Sequence, residues 1–192
     1  MADITSSYNR GCKDNLSGVY EIWLLKYRKI PRSQIVTNGN YLVSFPEAFI
    51  YKFYSSNNPA PTEQMQENAG GKFYNQSISL TFPSSETRDM EELSELDFRL
   101  LFKDRNGFYR IFGLYNGVQA GKIDYNTGSN KGDLNGFKID FTGQEEQPAF
   151  FIENLNDAGF IDLGDTEPFY LVYQNGDAIH LQNNDFLIQQ NG

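Results

Sequence analysis

The sequence predicts a mainly β protein, an antiparallel β-sandwich or barrel with one flanking α-helix. Three observations carry that expectation. The 192 residues include 16 Phe and 12 Tyr, flat side chains that pack well on a half-buried sheet face. Along 73–82 the chain alternates, with Ile78, Leu80 and Phe82 on one side and Ser77, Ser79 and Thr81 on the other, the period of a strand with one buried face. Asn-Gly recurs at Asn106-Gly107, Asn116-Gly117, Asn135-Gly136 and Asn175-Gly176, a pair that readily takes the positive φ of tight hairpins. The length suits one domain with an appendage and a real core.

In order, residues 1–11 are polar and read as a flexible arm. Residues 19–25, rich in β-branched and aromatic side chains, give the first strand. The basic run Lys26, Arg28, Lys29 and Arg32 follows, interrupted by Ile30-Pro31; it is too short for a nucleic-acid patch and suits a solvated strand end or a subunit contact. Asn38-Gly39 marks a turn before a strand at 41–45, and 49–54 is another. Residues 55–72 are polar, with Pro59, Pro61 and the pair Gly70-Gly71, and read as a long loop of the kind that carries function. Over 85–96 a helix is expected: Ser84 or Ser85 caps it, acids fill its first turn, and Met90, Leu93 and Leu96 form a narrow apolar stripe. Short strands follow at 100–103, 108–112, 118–123, 137–141 and 150–152, spaced as in a sandwich or barrel. The domain is therefore bounded at 1–154. Residues 155–192 form an acidic extension with a small hairpin around Asn175-Gly176 and a further strand at 186–188.

Charge is unevenly placed. Residues 1–110 hold 13 basic and 13 acidic side chains, whereas 111–192 hold 3 against 12, so the net −9 lies wholly in the second part. A specific nucleic-acid binder shows the opposite, a basic footprint. Acidity serves solubility or a surface that faces a polyanion without holding it. No run reaches the ~18 apolar residues of a membrane span, and the first residues show no secretory signal. The single Cys12 excludes an intrachain disulfide and fits a reducing cytosol.

Chemistry-bearing patterns are few. The lone His180 has no Ser, Cys or Asp constellation around it in sequence, and zinc spacing is absent. Asp124, Asn126, Gly128, Asn130 and Asp133 resemble a calcium loop only loosely, with Gly128 at a ligand position and Asn135 where a bidentate Glu belongs. There is no phosphate-cradling Gly-x-x-x-x-Gly-Lys motif. Glu145 and Glu146 are adjacent on a strand, so they point to opposite faces and do not make a glycosidase pair. No enzyme activity, cofactor, metal or small-molecule substrate is expected.

The second part of the chain holds Tyr109-Arg110-Ile111-Phe112-Gly113-Leu114-Tyr115-Asn116-Gly117, then Thr127-Gly128 and Asn135-Gly136-Phe137, then Gly143-Gln144-Glu145 and Pro148-Ala149-Phe150-Phe151-Ile152, in that order. With that order and spacing, residues 12–152 resemble the tail tube (major tail) proteins of long-tailed bacteriophages. Asn75–Phe82 before the expected helix also fits. It implies a non-enzymatic virion protein, assembled in the host bacterial cytoplasm into hexameric rings. Those rings would stack with other tail proteins into a tube that passes double-stranded DNA without binding it specifically. On that reading, the 55–72 loop, with Asn58, Pro59, Glu63, Glu67 and Asn68, would grip the next ring. Asp124, Asp133 and Asp140 would be lumen acids, and adjacent subunits would join sheet edges. Two readings stay beside it: a tail-terminator or completion ring or contractile-injection tube protein, and, in a different class, a carbohydrate-binding or adhesive β-sandwich that uses its Phe and Tyr rings as a sugar platform.

Overall fold

The structure, a computed structural model, describes residues 18–53, 55, 59–82, 94–127 and 135–163 and, within 164–192, only the backbone of four two-residue strands. It divides into a unit ending at Asp162 and a second unit, Leu163–Gly192. Twelve strands of the first unit belong to one branching sheet. They are β1 (Val19–Lys26), β2 (Val36–Asn38), β3 (Tyr41–Ser44), β4 (Ala48–Phe53), β5 (Thr62–Asn68), β6 (Gly71–Phe82), β7 (Asp97–Asp104), β8 (Tyr109–Phe112), β9 (Val118–Asn126), β10 (Gly136–Glu145), β11 (Phe150–Ile152) and β12 (Phe160–Asp162). The order is β2-β3-β11-β8-β7-β9-β10-β6-β5, with β1 also on β7, β4 on β1 and β12 on β4.

The mainly β expectation is met, but the sheet is mixed, since β11–β3 and β12–β4 pair in parallel. It is also open, because β2, β5 and β12 each have a strand on one side only among the described residues. Chain length dictates its curvature. Strands β3 and β4 lie five strand spacings apart in the order, about 24 Å in a flat sheet. Only residues 45–47 join them, a reach of about 15 Å. The sheet must therefore curl.

Alternation along β1, β7 and β8 feeds two separate cores. Ile22, Leu24, Leu100, Phe102 and Phe112 meet Ile78, Leu80, Phe137, Ile139 and Phe141 from β6 and β10. Their neighbours Trp23, Leu101 and Ile111 face the other way, to Leu42, Ile50, Phe150, Ile152 and Phe160, inside the curl. Each side chain of this size contributes about 1.5–3 kcal/mol on burial. Strands buried on both faces read as continuous apolar runs (Ile-Trp-Leu-Leu and Leu-Leu-Phe), whereas β6 and β10, with one wet face, alternate.

Four expectations change. Residues 62–72 are not a loop. They form β5, the turn Ala69-Gly70 and the start of β6, paired without a register shift from Thr62↔Ser77 to Asn68↔Gly71. All seven β5 residues are exposed, so the strand carries no apolar signature and is held by backbone pairing and a few polar side-chain bonds. Asn116-Gly117 is not a hairpin turn: β8 and β9 lie in succession along the same side of β7, and residues 113–117 form an excursion between them. Asn135-Gly136 is not a tight turn either, since the β9–β10 connection spans 127–135. The domain boundary also moves. Leu155, Ala158 and Phe160 are buried in the second core, Phe45 N–H bonds Ala158 O at 2.8 Å, and Trp23 Nε1–H bonds Asp162 Oδ2 at 2.9 Å. Net acidity there hid three apolar anchors.

The expected helix lies outside the described residues except for helical Ser94 and Glu95 and Leu96, which packs on the first core. Asn106-Gly107 does turn β7 into β8. In the second unit β13 (Leu171–Val172) pairs with β14 (Ala178–Ile179), and β15 (Leu181–Gln182) with β16 (Phe186–Leu187). Asn175-Gly176, the arm at 1–11, Cys12 and His180 are outside the described residues.

Candidate interaction surfaces

Four strands, β9-β10-β6-β5, present one face to the first core and a polar face outward. Register fixes who shares that outer face: Asp124↔Lys138↔Thr81, Lys122↔Asp140↔Ser79, and Thr142↔Ser77↔Thr62. Two of the three expected lumen acids are thus brought together, while Asp133 lies outside the described residues. They are not a bare acidic wall, however. Lys122 Nζ sits 2.6 Å from Asp124 and Lys138 Nζ 3.9 Å from Asp140, the Ser79 hydroxyl donates to Asp140, and Thr62 and Ser77 hydroxyls meet at 2.7 Å. The Asp124 bond and charge hold Lys122 above the ordinary lysine range. Two Lys against two Asp leave the face locally neutral; the sequence reading assigned the acids without the lysines two residues away on the same strands.

The same four strands have two free edges. β5 pairs only with β6, and β9 meets β7 only at Val118 and Gln119, so Ala120 to Tyr125 have one strand neighbour among the described residues. Neither edge contains proline, and β5 contains neither lysine nor a bulge, the usual devices that keep strand edges from pairing.

Among the expected gripping residues, Glu63 is committed inside the subunit. Its Oε1 accepts from Gln76 Nε2 at 2.8 Å and from Ala149 N–H at 2.7 Å. Pro59 precedes β5, Glu67 and Asn68 lie at its exposed end, and Asn58 is outside the described residues.

Two of the sequence pieces that carried the resemblance, 109–117 and Gly143-Gln144-Glu145, meet at the 113–117 excursion. Gly113 N–H donates to buried Gln76 Oε1, and Arg99 Nε–H to Leu114 O, both at 2.9 Å. Tyr27 hydroxyl donates to Tyr115 O at 2.6 Å. Tyr115 and Asn116 N–H groups both donate to Glu145 Oε1, at 2.9 and 2.8 Å. Gly113 has φ +68°, and a Cβ on Gly143 would lie 2.7 Å from Gly117 O. The Gly–Asn-Gly pair and the Gly-x-Glu are therefore two halves of one joint. Glu145 is 3% exposed, and its Oε2 is buried without a partner among the described residues. Burial pushes its pKa up, against the two N–H bonds and the charges of Arg99 and Arg32. Burial likewise draws the Arg99 guanidinium, stacked 4.4 Å over Tyr27, below its ordinary value. Glu146, just past the end of β10, points outward to Arg32 at 2.8 Å. This joint is a scaffold: the backbone groups of Gly113, Leu114, Tyr115 and Asn116 named here all bond to side chains within the unit.

A third surface is a groove of about 290 Å³ beside β3, lined by Asn38, Tyr41, Glu153, Asn154 and Asp157 with Leu42, Val43 and Ala158. Next to it, exposed Tyr41 packs against Phe151 at 5.7 Å, and Arg110 lies 4.3 Å over the Phe151 ring. No group of His, Cys, Asp and Glu able to hold a metal occurs among the described residues, and no helix among them is long and apolar enough to cross a membrane. Compared with protein-family models, with curated proteins and with solved structures, the chain matches none.

Proposed function

We propose that this chain is a structural subunit that assembles side by side into rings, and that the rings stack into a tube of the phage tail-tube kind. The observation that carries the reading is the β9-β10-β6-β5 sheet with a free edge on each side. β5 has seven residues, and β9 has β10 as its one strand neighbour among the described residues from Ala120 to Tyr125. The strands alternate in direction, so β5 and β9 run antiparallel. A rotated copy that set its β9 beside β5 would continue the alternation unbroken, and repeating that contact closes a ring. Strand addition of this kind draws affinity from main-chain hydrogen bonds. The polar outer face would then line the bore. With each Asp partnered by a Lys, it offers DNA phosphates no net charge to bind, so duplex could slide. Sixfold symmetry and a virion setting come from the resemblance alone.

The test is a proline scan of Gln64, Met65 and Gln66. Successive N–H groups on an edge strand point alternately to the paired and the free side. Proline at a free-side position should leave the monomer's stability nearly unchanged and abolish rings and tubes in electron micrographs. Proline at the paired side should destabilise the fold itself. Rings that survive every position refute the edge contact. A second reading has one observation behind it, the exposed rings of Tyr41 and Phe108. A carbohydrate-binding module would use them as a platform, remain monomeric, and bind glycans on an array.

A further inference from the structure

The stretch first assigned to grip the next ring is an edge strand, so a second contact between copies is needed, and two surfaces outside the four-stranded sheet complement each other. The first is the groove at Glu153 and Asp157. It carries two exposed carboxylates, two amides and the ring of Tyr41, and the Asn154 side chain accepts from Asn156 N–H at 2.9 Å, shaping the turn that presents Asp157. At about 290 Å³ it sits at the small end of ligand pockets, about 300–1,000 Å³, sized for a side chain or two. Two carboxylates beside an exposed aromatic face suit a guanidinium or ammonium group, which gains from both charge and ring.

The second surface is Lys26, Arg28 and Lys29. All three are exposed, and none belongs to the ion pairs formed among the described residues. Arg32, by contrast, is taken by Glu146. Three cations within four residues that form no ion pair among the described residues leave the strand end: β1 stops at Lys26, and the carbonyl of Arg28 accepts from Arg99 Nη2 at 3.0 Å.

We infer that the 26–29 basic segment of one copy docks in the Glu153–Asp157 groove of a second copy, joining successive rings head to tail. The contact is heterologous, so it propagates rather than closing on itself. This rests on the ring reading and adds the stacking interface to it.

The experiment uses the full chain in two charge-reversed forms, K26E/R28E/K29E and E153K/D157K, separately and mixed, with electron microscopy and sedimentation as readouts. All five positions have exposed side chains, so melting should match wild type. Each form alone should still make rings but should raise the protein concentration needed for stacking by about tenfold or more. The mixture, in which reversed surfaces again meet opposite charge, should restore stacking. Wild-type stacking should weaken as salt shortens the Debye length from about 10 Å at 0.1 M to about 3 Å at 1 M. Normal stacking by either form alone, or no recovery in the mixture, overturns the contact and leaves the rings standing. Wild type that forms no rings overturns the ring reading and this contact with it.

Discussion

Replacing Glu145 tests whether the crossing excursion between β8 and β9 is held by one buried carboxylate. Its Oε1 accepts the N–H groups of Tyr115 and Asn116. Glu145→Ala leaves both donors without that acceptor. A buried donor left unpaired costs about 1–3 kcal/mol. Tyr115 is half-buried and Asn116 exposed, so water relieves part of the second loss, and release of the buried charge offsets more. The expected net cost is about 2–4 kcal/mol. Glu145→Gln keeps an acceptor of the same shape and removes the charge, so at neutral pH it should fall within about 1 kcal/mol of wild type.

The pH dependence separates the two forms further. Burial raises the folded-state pKa of Glu145 above the ordinary 4.5, so the folded protein holds this proton more firmly than the unfolded chain. Its contribution to stability is therefore fully present below the ordinary value and is lost as pH rises through the raised one. Glu145→Gln has no such proton. Relative to wild type, it should gain stability as pH rises across that window. Urea unfolding of the three proteins at several pH values measures both effects, with midpoint shifts at constant slope reporting stability. A Glu145→Ala cost below about 1 kcal/mol, or a Gln-to-wild-type difference that stays flat with pH, would refute the clamp.

The remaining predictions concern neighbouring features. Gly143→Ala would place a Cβ 2.7 Å from Gly117 O and 2.8 Å from Val118 Cγ1. It should lower stability by about 1–3 kcal/mol in thermal unfolding, and an unchanged Tm would show that β9 and β10 can part freely there. Phe160→Ala, which removes the ring stacked 5.0 Å from Phe45, should cost about 3–5 kcal/mol. A chain stopped after Asp162 should keep the first unit's cooperative transition, whereas one stopped after Asn154 should lose it; equal melting of the two would return the boundary to 154. Asp124→Lys with Asp140→Lys should leave ring assembly intact and make the sheet face basic. Filter binding at low salt should then show duplex DNA retained by the variant and not by wild type, with a salt-dependent affinity. No difference between them would detach this face from DNA passage.

Much of the fold was legible because its signals are local. The alternation of Ile78, Leu80 and Phe82 and the turn at Asn106-Gly107 need only neighbours in sequence, and both appear as expected. β5 was not legible. A strand that buries nothing has no hydrophobic period to detect, and its polar residues read as loop. Asn116-Gly117 misled for the opposite reason, since a good turn pair was used for a crossing excursion whose donors are satisfied from Gln76 and Glu145, far away in sequence. Of the candidate surfaces, the sequence reading placed Asp124 and Asp140 on a polar face without Lys122 and Lys138. Each lysine lies two residues from its acid on the same strand, so alternation already held those pairs, and only the register that sets Asp124 beside Lys138 and Lys122 beside Asp140 needed the tertiary structure.

Composition, alternation and turn pairs by themselves determined that the chain is mainly β, which residues of β6 and β10 face a core, and that excess acid lies in the second part. Those properties depend on each side chain's own preference for water and on backbone period. Only the tertiary structure decided that the sheet branches and curls around two cores, that 155–162 belongs to the first unit, and that β5 and β9 are free edges. Each of these depends on which distant backbone groups find one another. Hydrogen bonding satisfies the backbone without regard to side chain, so the sequence carries little record of the choice.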